Sequence, residues 1–558
     1  MPSVKSPLLR SLLKNLNKAV FAEKHPYIDT DTLLDLERTD AYSRRKFLLD
    51  ATKTVGAIGL ASLLPLNACN SDTPNKDAAN KAKTAADSIG TQQPSKNQPS
   101  VAIVGGGIAG LHAAYILQKS GIVAQVYEAD KRLGGRINTQ SDIFGKGLTT
   151  EFGGEFVDSN HEDMLSLAKE FGLELLDTEK DITDNKLIKD AYFFNNQHYS
   201  EKEVINEFRK IVKTLKRDKA KCGEDFDTPY AEALDKISVE KYARSLPCAK
   251  WLQDHIIMAY IAEYGLDGTE QSALNFVDMI DTDTSDGLKI YGDSDERYKI
   301  KGGNHKVIEA LQAKLPNQIN TGQVLTAIRS ANNKTTLVFD GGKEVSADFV
   351  ILAIPFTILR AIDMKIEGMS PEKLACIKEL GYGQNNKLFL GFRSHVWRGL
   401  QPAYAGYLFH PDIHNGWDHT QGQNNNEGAA GYTIFLGGQP SIAMAAAAAA
   451  QNLKDSAPDA MVQDYLTKLD TAFVGVKRQF NGTHKAALWS NNPFVKASYA
   501  CYKPGQWTTI SGQEFEPVGT VHFAGEHCSE DFQGYMNGGA ETGRRAAENI
   551  LAALKAQK

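Results

Sequence analysis

The chain has 558 residues, 42% of them hydrophobic and 23% charged, with a formal net charge of −6 and a pI near 6.1. That length exceeds one ordinary domain and that composition is globular, whereas the acidic balance excludes non-specific nucleic-acid binding, which needs a basic face. The six cysteines, at 69, 222, 248, 376, 501 and 528, form no C-x-x-C pair, so neither a metal site nor a disulfide framework is expected.

Residues 1–69 read as a leader. Ser43-Arg44-Arg45-Lys46-Phe47-Leu48-Leu49 resembles a twin-arginine export signal. The weakly apolar stretch 55–64 behind it, about ten residues, is too short to span a bilayer. Leu66-Asn67-Ala68-Cys69 resembles a lipoprotein cleavage box with Cys69 as the lipidated residue. These features predict recognition by the twin-arginine translocase and a periplasmic or lipid-anchored location. A cytosolic protein with an unusual N-terminal arm is the alternative, because 42 residues precede the signal and segment 8–21 is patterned like an amphipathic helix. Residues 70–100 are Asn, Ala, Lys, Ser, Thr, Asp, Gln and Pro with almost nothing to bury; such a stretch cannot offset its ordering entropy and reads as a disordered tether.

The next segment sets the class. The apolar run 101–104 predicts a buried strand, and it leads into Gly105-Gly106-Gly107-Ile108-Ala109-Gly110, a helix with apolar positions at Leu111, Ala114, Tyr115 and Leu117, and a second strand over 123–127 ending on Glu128. Glycines at 105, 107 and 110 fill the G-x-G-x-x-G template in its strand–turn–helix setting, which predicts a dinucleotide site. The helix N-terminus offers free N–H groups to the phosphates, and Glu128 stands where a carboxylate accepts ribose hydroxyls. A second loop, Leu133-Gly134-Gly135-Arg136, predicts a flavin rather than a nicotinamide cofactor, with Arg136 offsetting pyrophosphate charge.

Helical patterns dominate 161–285, and residues 361–514 mix strands such as 387–392 with helices, including the alanine run 443–450. Near the C-terminus, residues 521–527 read as a strand ending in Gly525-Glu526, followed by a helix over 540–554 whose N-terminal amides can face a flavin ring. The expected architecture is a Rossmann-type α/β FAD-binding domain, discontinuous over 100–160, 295–360 and 515–558. Into it is inserted an α+β substrate domain of mixed sheet and helices over 161–294 and 361–514.

Five segments in this order resemble the flavin-containing amine oxidases (monoamine and polyamine oxidases, with L-amino acid oxidases and tryptophan monooxygenase as cousins). They are VAIVGGGIAGL with YEADKRLGGR, EFGGEF at 151–156, KGGNHKVIEAL at 301–311, VILAIPFTILR at 350–360 and FAGEHCSEDFQGYMNGGAETGRRAA at 523–547. The resemblance implies FAD, oxidation of a small-molecule amine to an imine, its hydrolysis to aldehyde and ammonia, and electron transfer to O2 or a periplasmic acceptor. The cofactor contacts assigned are Gly105, Gly107, Ile108, Ala109, Gly110, Glu128, Gly134, Gly135, Arg136, Val324, Gly525, Glu526, Tyr535 and Met536. It also implies that Lys387 holds a water against the flavin, and that Tyr499 and Tyr535 are the two aromatic walls of the substrate site. Where monoamine oxidases carry a Cys-Tyr pair whose Cys is bonded to the flavin, this chain has Ser498-Tyr499, so non-covalent FAD is expected, with Cys501 as the one rival.

Gly153-Gly154 is followed by Glu155-Phe156-Val157-Asp158, without the arginine that amino acid oxidases use to clamp a carboxylate. Glu155 and Asp158 are therefore expected to bind a second cationic group, which favours an amine over an α-amino acid; ordinary solvated acids are the other reading of the pair. An L-amino acid oxidase or tryptophan 2-monooxygenase-like enzyme is the alternative. A carotenoid-desaturase-type flavoenzyme and a non-catalytic flavin-binding module are more remote.

Overall fold

The computed structural model describes residues 98–279, 294–423 and 428–556. The twin-arginine-like segment, Cys69 and nearly all of the tether lie outside the described residues. Among the described residues no helix is long and apolar enough to cross a membrane.

Val101–Val104 is buried at every position and sits mid-sheet, paired in parallel with Phe349–Leu352 on one side and Ala124–Tyr127 on the other. Val521–Phe523 and Ile319–Asn320 complete a five-stranded parallel sheet. Such a sheet is covered on both faces, which is why its strands are continuous apolar runs. Successive side chains point to opposite faces. Ile103, Val126 and Ile351 pack with helices Ile108–Lys119, His305–Lys314 and Met536–Ala556, through Leu111, Leu117, Ile308, Leu311 and Ile550. Ala102, Val104, Val350, Leu352 and Phe523 pack with Ile328, Leu337 and Phe339 of a four-stranded sheet.

This nucleotide half is assembled from segments far apart in the chain, as a discontinuous α/β domain requires, but its packing crosses the expected edges. Asp363–Lys365 pairs with Leu325–Ala331. Cys376, Ile377 and Leu380 join the Val350 cluster, as do Ala497, Ala500 and Tyr502. Helix Glu162–Glu170 contributes Met164 and Leu167 to the cluster around Ile103.

The other half is built on a seven-stranded mixed sheet in the order Phe480–Ala487, Asn386–Phe392, Ala430–Leu436, His414–Asp418, Tyr404–His410, Ile188–Phe194, Gln197–Tyr199. Leu388, Leu390, Ile434 and Leu436 cluster with Met444, Ala445, Ala448, Val462 and Leu466 of helices Gly438–Ala450 and Asp459–Ala472. The alanine run is thus a close-packing helix face with high intrinsic propensity. Alternation sends Lys387, Phe435 and Asn415, in register across three strands, to the opposite face, together with Phe389, Thr433 and Trp417. Lys387, Phe435 and Trp417 on that face line a cavity.

Candidate active site

At the phosphate loop each glycine has its own constraint. Gly105 has φ +110°, and a Cβ there would collide with the carbonyl of Ala353. A Cβ on Gly110 would strike the Gly105 carbonyl, so the helix sits directly on the end of its strand. Gly107 has open space where a Cβ would be, and no side chain caps the helix that begins after it. Helix-terminal amides beside open space suit an anionic ligand. The second glycine pair forms the facing wall: Gly134 N–H donates to Gly106 O at 2.8 Å, and Gly134 and Gly135 have φ +97° and +55°. Glu128 is buried and accepts from the amides of Gly106 (2.6 Å) and Asp130 (2.7 Å). Burial pushes its carboxyl up, against those two bonds, and its oxygens retain further acceptor capacity.

Helix Met536–Ala556 brings a second N-terminus to the same place. A Cβ on Gly539 would lie 2.8 Å from Ile108 Cγ2, and one on Gly543 would collide with Ala109 O, so the two helices cross only because these positions are glycine. Gly154 is likewise required by Met536, whose Cγ would be 2.7 Å from a Cβ there. Arg136 lines the cavity beside these loops. Its Nη1 donates to Glu526 Oε1 at 2.8 Å and to Ser498 O at 2.5 Å, so Glu526 offsets its charge.

Most of these groups line one cavity, with about 1890 Å³ of empty space including its mouth. It runs from Gly105, Gly107, Ile108, Ala109, Glu128, Gly134 and Gly135 past Arg136, Val324, Gly525, Glu526 and Met536. It ends among Tyr499, Tyr535, Trp417, Phe435 and Phe156. Of the sequence-assigned residues Gly110 and Asp158 do not line it. The glycine walls, the uncapped helix and the ribose-side carboxylate fit the dinucleotide moiety of a flavin. Among the described residues no cysteine or histidine lines the cavity. Ser498 donates to Asn385 Oδ1 at 2.6 Å, and buried Cys501 is turned to Asn275 Nδ2 at 3.5 Å.

Lys387 is buried, and its ammonium donates to Glu151 O (3.0 Å), Gly153 O (2.9 Å) and Glu155 Oε2 (3.0 Å). Three N–H groups thus meet three protein acceptors. The expectation for Glu155 is corrected. Its other oxygen pairs with Lys299 at 2.9 Å. Burial would raise its carboxyl, but Lys299 and Lys387 together hold it at about 2. An acid flanked by two ammonium groups is not free to attract a cationic substrate.

Asp158 is fully buried, accepts from the Glu296 amide at 2.8 Å and lies 3.4 Å from His161 Nε2; burial raises its carboxyl. It supports Glu296 instead of facing the cavity. Glu296 itself, buried and with φ +47°, lines the cavity, as do Glu155 and Glu526. It acts electrostatically on both Tyr499 and Tyr535, whose phenols burial pushes well above their usual range. The tyrosines are therefore neutral walls. Tyr535 is backed by His161, ring edge to face with centroids 4.9 Å apart. Phe156, Trp417 and Phe435 form a contiguous aromatic floor, with centroids 5.9 and 5.7 Å apart, and Lys387 Nζ lies 5.3 Å from the Trp417 centroid.

Lys299, Glu296, Phe156, Trp417 and Phe435 were not assigned from sequence. A lysine between Tyr298 and Ile300 carried a signal for Lys299. Nothing local marked Glu296.

Comparison with known proteins agrees with this geometry. The family model described as "Flavin containing amine oxidoreductase" matches residues 108–551. Polyamine oxidase 4 of Oryza sativa subsp. japonica is 25% identical over 487 residues, covering 82% of this chain and 90% of its own. The L-amino-acid oxidase of Siganus canaliculatus is 25% identical over 480 residues, covering 81% and 85%. Among solved structures, a putrescine oxidase bound to putrescine aligns with a TM-score of 0.67 at 20% identity, covering 82% of this chain and 99% of that one. The cyclohexylamine oxidase of Brevibacterium oxydans aligns with 0.68 at 22% identity, with the same coverage.

Proposed function

The chain belongs to the flavin-containing amine oxidoreductase family, and from that premise we propose that it oxidises the α-carbon of a small amine carrying a second cationic group, using non-covalent FAD. The observation that carries this reading is the single cavity joining the glycine loops to an aromatic end with Glu296 in its wall. FAD, when bound, supplies the two-electron acceptor for the hydride lost from the substrate and passes the electrons to O2, releasing hydrogen peroxide, or to another acceptor. The imine product is hydrolysed by water to aldehyde and ammonia.

The protein's own part is binding and charge. Tyr499, Tyr535, Trp417 and Phe435 exclude bulk water and pack against the substrate's carbon chain, and their faces attract an ammonium before it loses its proton. Lys387 contributes a fixed positive charge in the wall, which favours negative charge developing beside it. An L-amino acid fits less well. Among the described residues the arginines lining the cavity are Arg132 and Arg136. The first donates to the carbonyls of Leu133, Gly135 and Ile137, and the second is matched by Glu526. The charges of Lys299 and Lys387 meet on Glu155. A substrate carboxylate therefore has no uncommitted cation among these groups.

Two outcomes are expected. First, a terminal diamine should reduce the flavin faster than a monoamine of equal length, and Glu296→Gln should remove about tenfold of that advantage, roughly 1.4 kcal/mol, while sparing the monoamine. Because Glu296 is buried, added salt should leave the preference largely intact, unlike an exposed pair screened over ~8 Å. Stopped-flow reduction of both enzymes checks this, and an unchanged preference in the variant would refute the assignment. Second, acid precipitation of the holoprotein should release all yellow colour into the supernatant, since among the described residues neither a thiol nor an imidazole lines the cavity. Flavin retained in the pellet would contradict the non-covalent reading.

A further inference from the structure

Lys299 lies on the short strand Tyr298–Ile300, paired with Leu175–Asp177. It is 5% exposed and does not line the cavity. Its ammonium donates to Glu155 Oε1 at 2.9 Å and to His419 O at 2.6 Å, and stands 5.6 Å from the Phe156 ring centroid. Glu155 Oε2 takes Lys387 at 3.0 Å. One buried carboxylate thus joins a lysine behind the wall to the lysine in it.

We infer that Lys299 is a positioning residue for Lys387: it matches the charge on one oxygen of Glu155, and so fixes the other as a charged acceptor for the ammonium at the cavity. This rests on the reading that Lys387 faces a bound flavin. A lone buried carboxylate–ammonium pair can return to neutrality by moving one proton from nitrogen to oxygen, and a low dielectric favours that exchange. With Lys299 present the exchange leaves an ammonium against a neutral acid, so it is suppressed. The other groups facing Glu155 do not replace Lys299. The His419 ring is held neutral by burial, down to about 3, and its nitrogens meet Thr150 and Thr433 hydroxyls. Glu151, which burial pushes up to about 7, has the wrong sign and accepts from Thr139 and Asn304. Whatever Glu151 does with pH is common to the wild type and to variants at Lys299.

The test compares wild-type holoprotein with Lys299→Met, Lys299→Arg and Lys387→Met. The oxidised flavin spectrum is titrated without substrate from about pH 6 to 9, the range between the usual carboxylate and lysine values, and kcat/KM is followed over the same range. Lys299→Met should show a one-proton spectral transition absent from the wild type, and its kcat/KM should vary about tenfold more across the range. Lys299→Arg, which keeps the charge, should behave as wild type. Lys387→Met should shift the flavin band at every pH and show no such transition.

A Lys299→Met protein that titrates like wild type, beside a Lys387→Met protein with a shifted band, overturns the inference alone. A Lys387→Met protein with an unshifted band overturns the reading on which it rests. If Lys299→Met yields no holoprotein, Lys299→Gln, which keeps a donor without charge, takes its place. Failure of both neutral variants while Lys299→Arg folds would make the lysine a stability element only and would also overturn the inference.

Discussion

Glu155→Gln is expected to destabilise the folded chain by about 3–5 kcal/mol, the range seen when one member of a buried ion pair is removed. Glu155 is 5% exposed, Lys299 5% and Lys387 6%, and among the described residues the carboxylate is the only anionic partner of each lysine. A glutamine keeps an acceptor for one ammonium and removes the charge that serves both. The remaining acceptors, the carbonyls of Glu151, Gly153 and His419, orient the ammonium groups without neutralising them. The apoprotein should therefore melt well below wild type. Glu155→Gln combined with Lys299→Met should recover much of the loss, because one ammonium rather than two is then without a counter-charge. An unchanged midpoint in the single variant would mean that water already reaches these lysines.

The second large effect is expected at acid pH, from histidines that carry no catalytic role. His255 is fully buried on helix Lys250–Tyr264, its ring nitrogens lack partners among the described residues, and Tyr192, Phe194 and Phe409 surround its ring. Burial lowers its pKa from 6.5 to about 3. The unfolded chain takes up this proton below about 6.5 and the folded chain does not until about 3. Stability is thus intact above 6.5 and is lost as pH falls between these values, at about 1.4 kcal/mol per pH unit once well inside the window. His419 and His527, held at about 3 by burial, act in the same sense. Glu151, raised to about 7, acts against them. It protonates in the folded state before the unfolded one, so its contribution grows as pH falls through 7 towards 4.5. Glu155, held at about 2, makes no difference until lower pH. His255→Phe should therefore flatten the fall of the thermal midpoint between pH 6.5 and 4.5 by a resolvable part, and leave the midpoint at pH 7.5 little changed. Equal slopes in the two proteins would contradict this.

The parts that were legible in the sequence are those whose physics is local. Gly105, Gly107 and Gly110 are required by a turn, an open approach and a helix set on its own strand, all within six residues, and the structure adds only that Ala353 is the neighbour Gly105 must avoid. The placement of Lys387, Tyr499 and Tyr535 on one cavity followed from motif order. What was hidden is pairing across the fold. Arg136 meets Glu526 from 390 positions away, and Glu155 meets Lys299 from 144. Nothing in the run from Glu155 to Asp158 reveals that one carboxylate is neutralised by two lysines and the other is buried under Glu296. An acid beside a glycine pair reads the same whether it faces solvent, substrate or a lysine. Burial and partner decide its chemistry, and both are set by the strands that bring residues 298–300 and 386–392 to it.

The most direct measurement is anaerobic mixing of the oxidised holoprotein with matched sets of diamines, monoamines and L-amino acids, following the loss of flavin absorbance. Bleaching by amines, fastest for a diamine whose second ammonium can reach Glu296, is the expected result. Bleaching by an L-amino acid ahead of every amine would contradict the account, since a substrate carboxylate would then be held where Arg132, Arg136, Lys299 and Lys387 are all matched by groups of the protein itself.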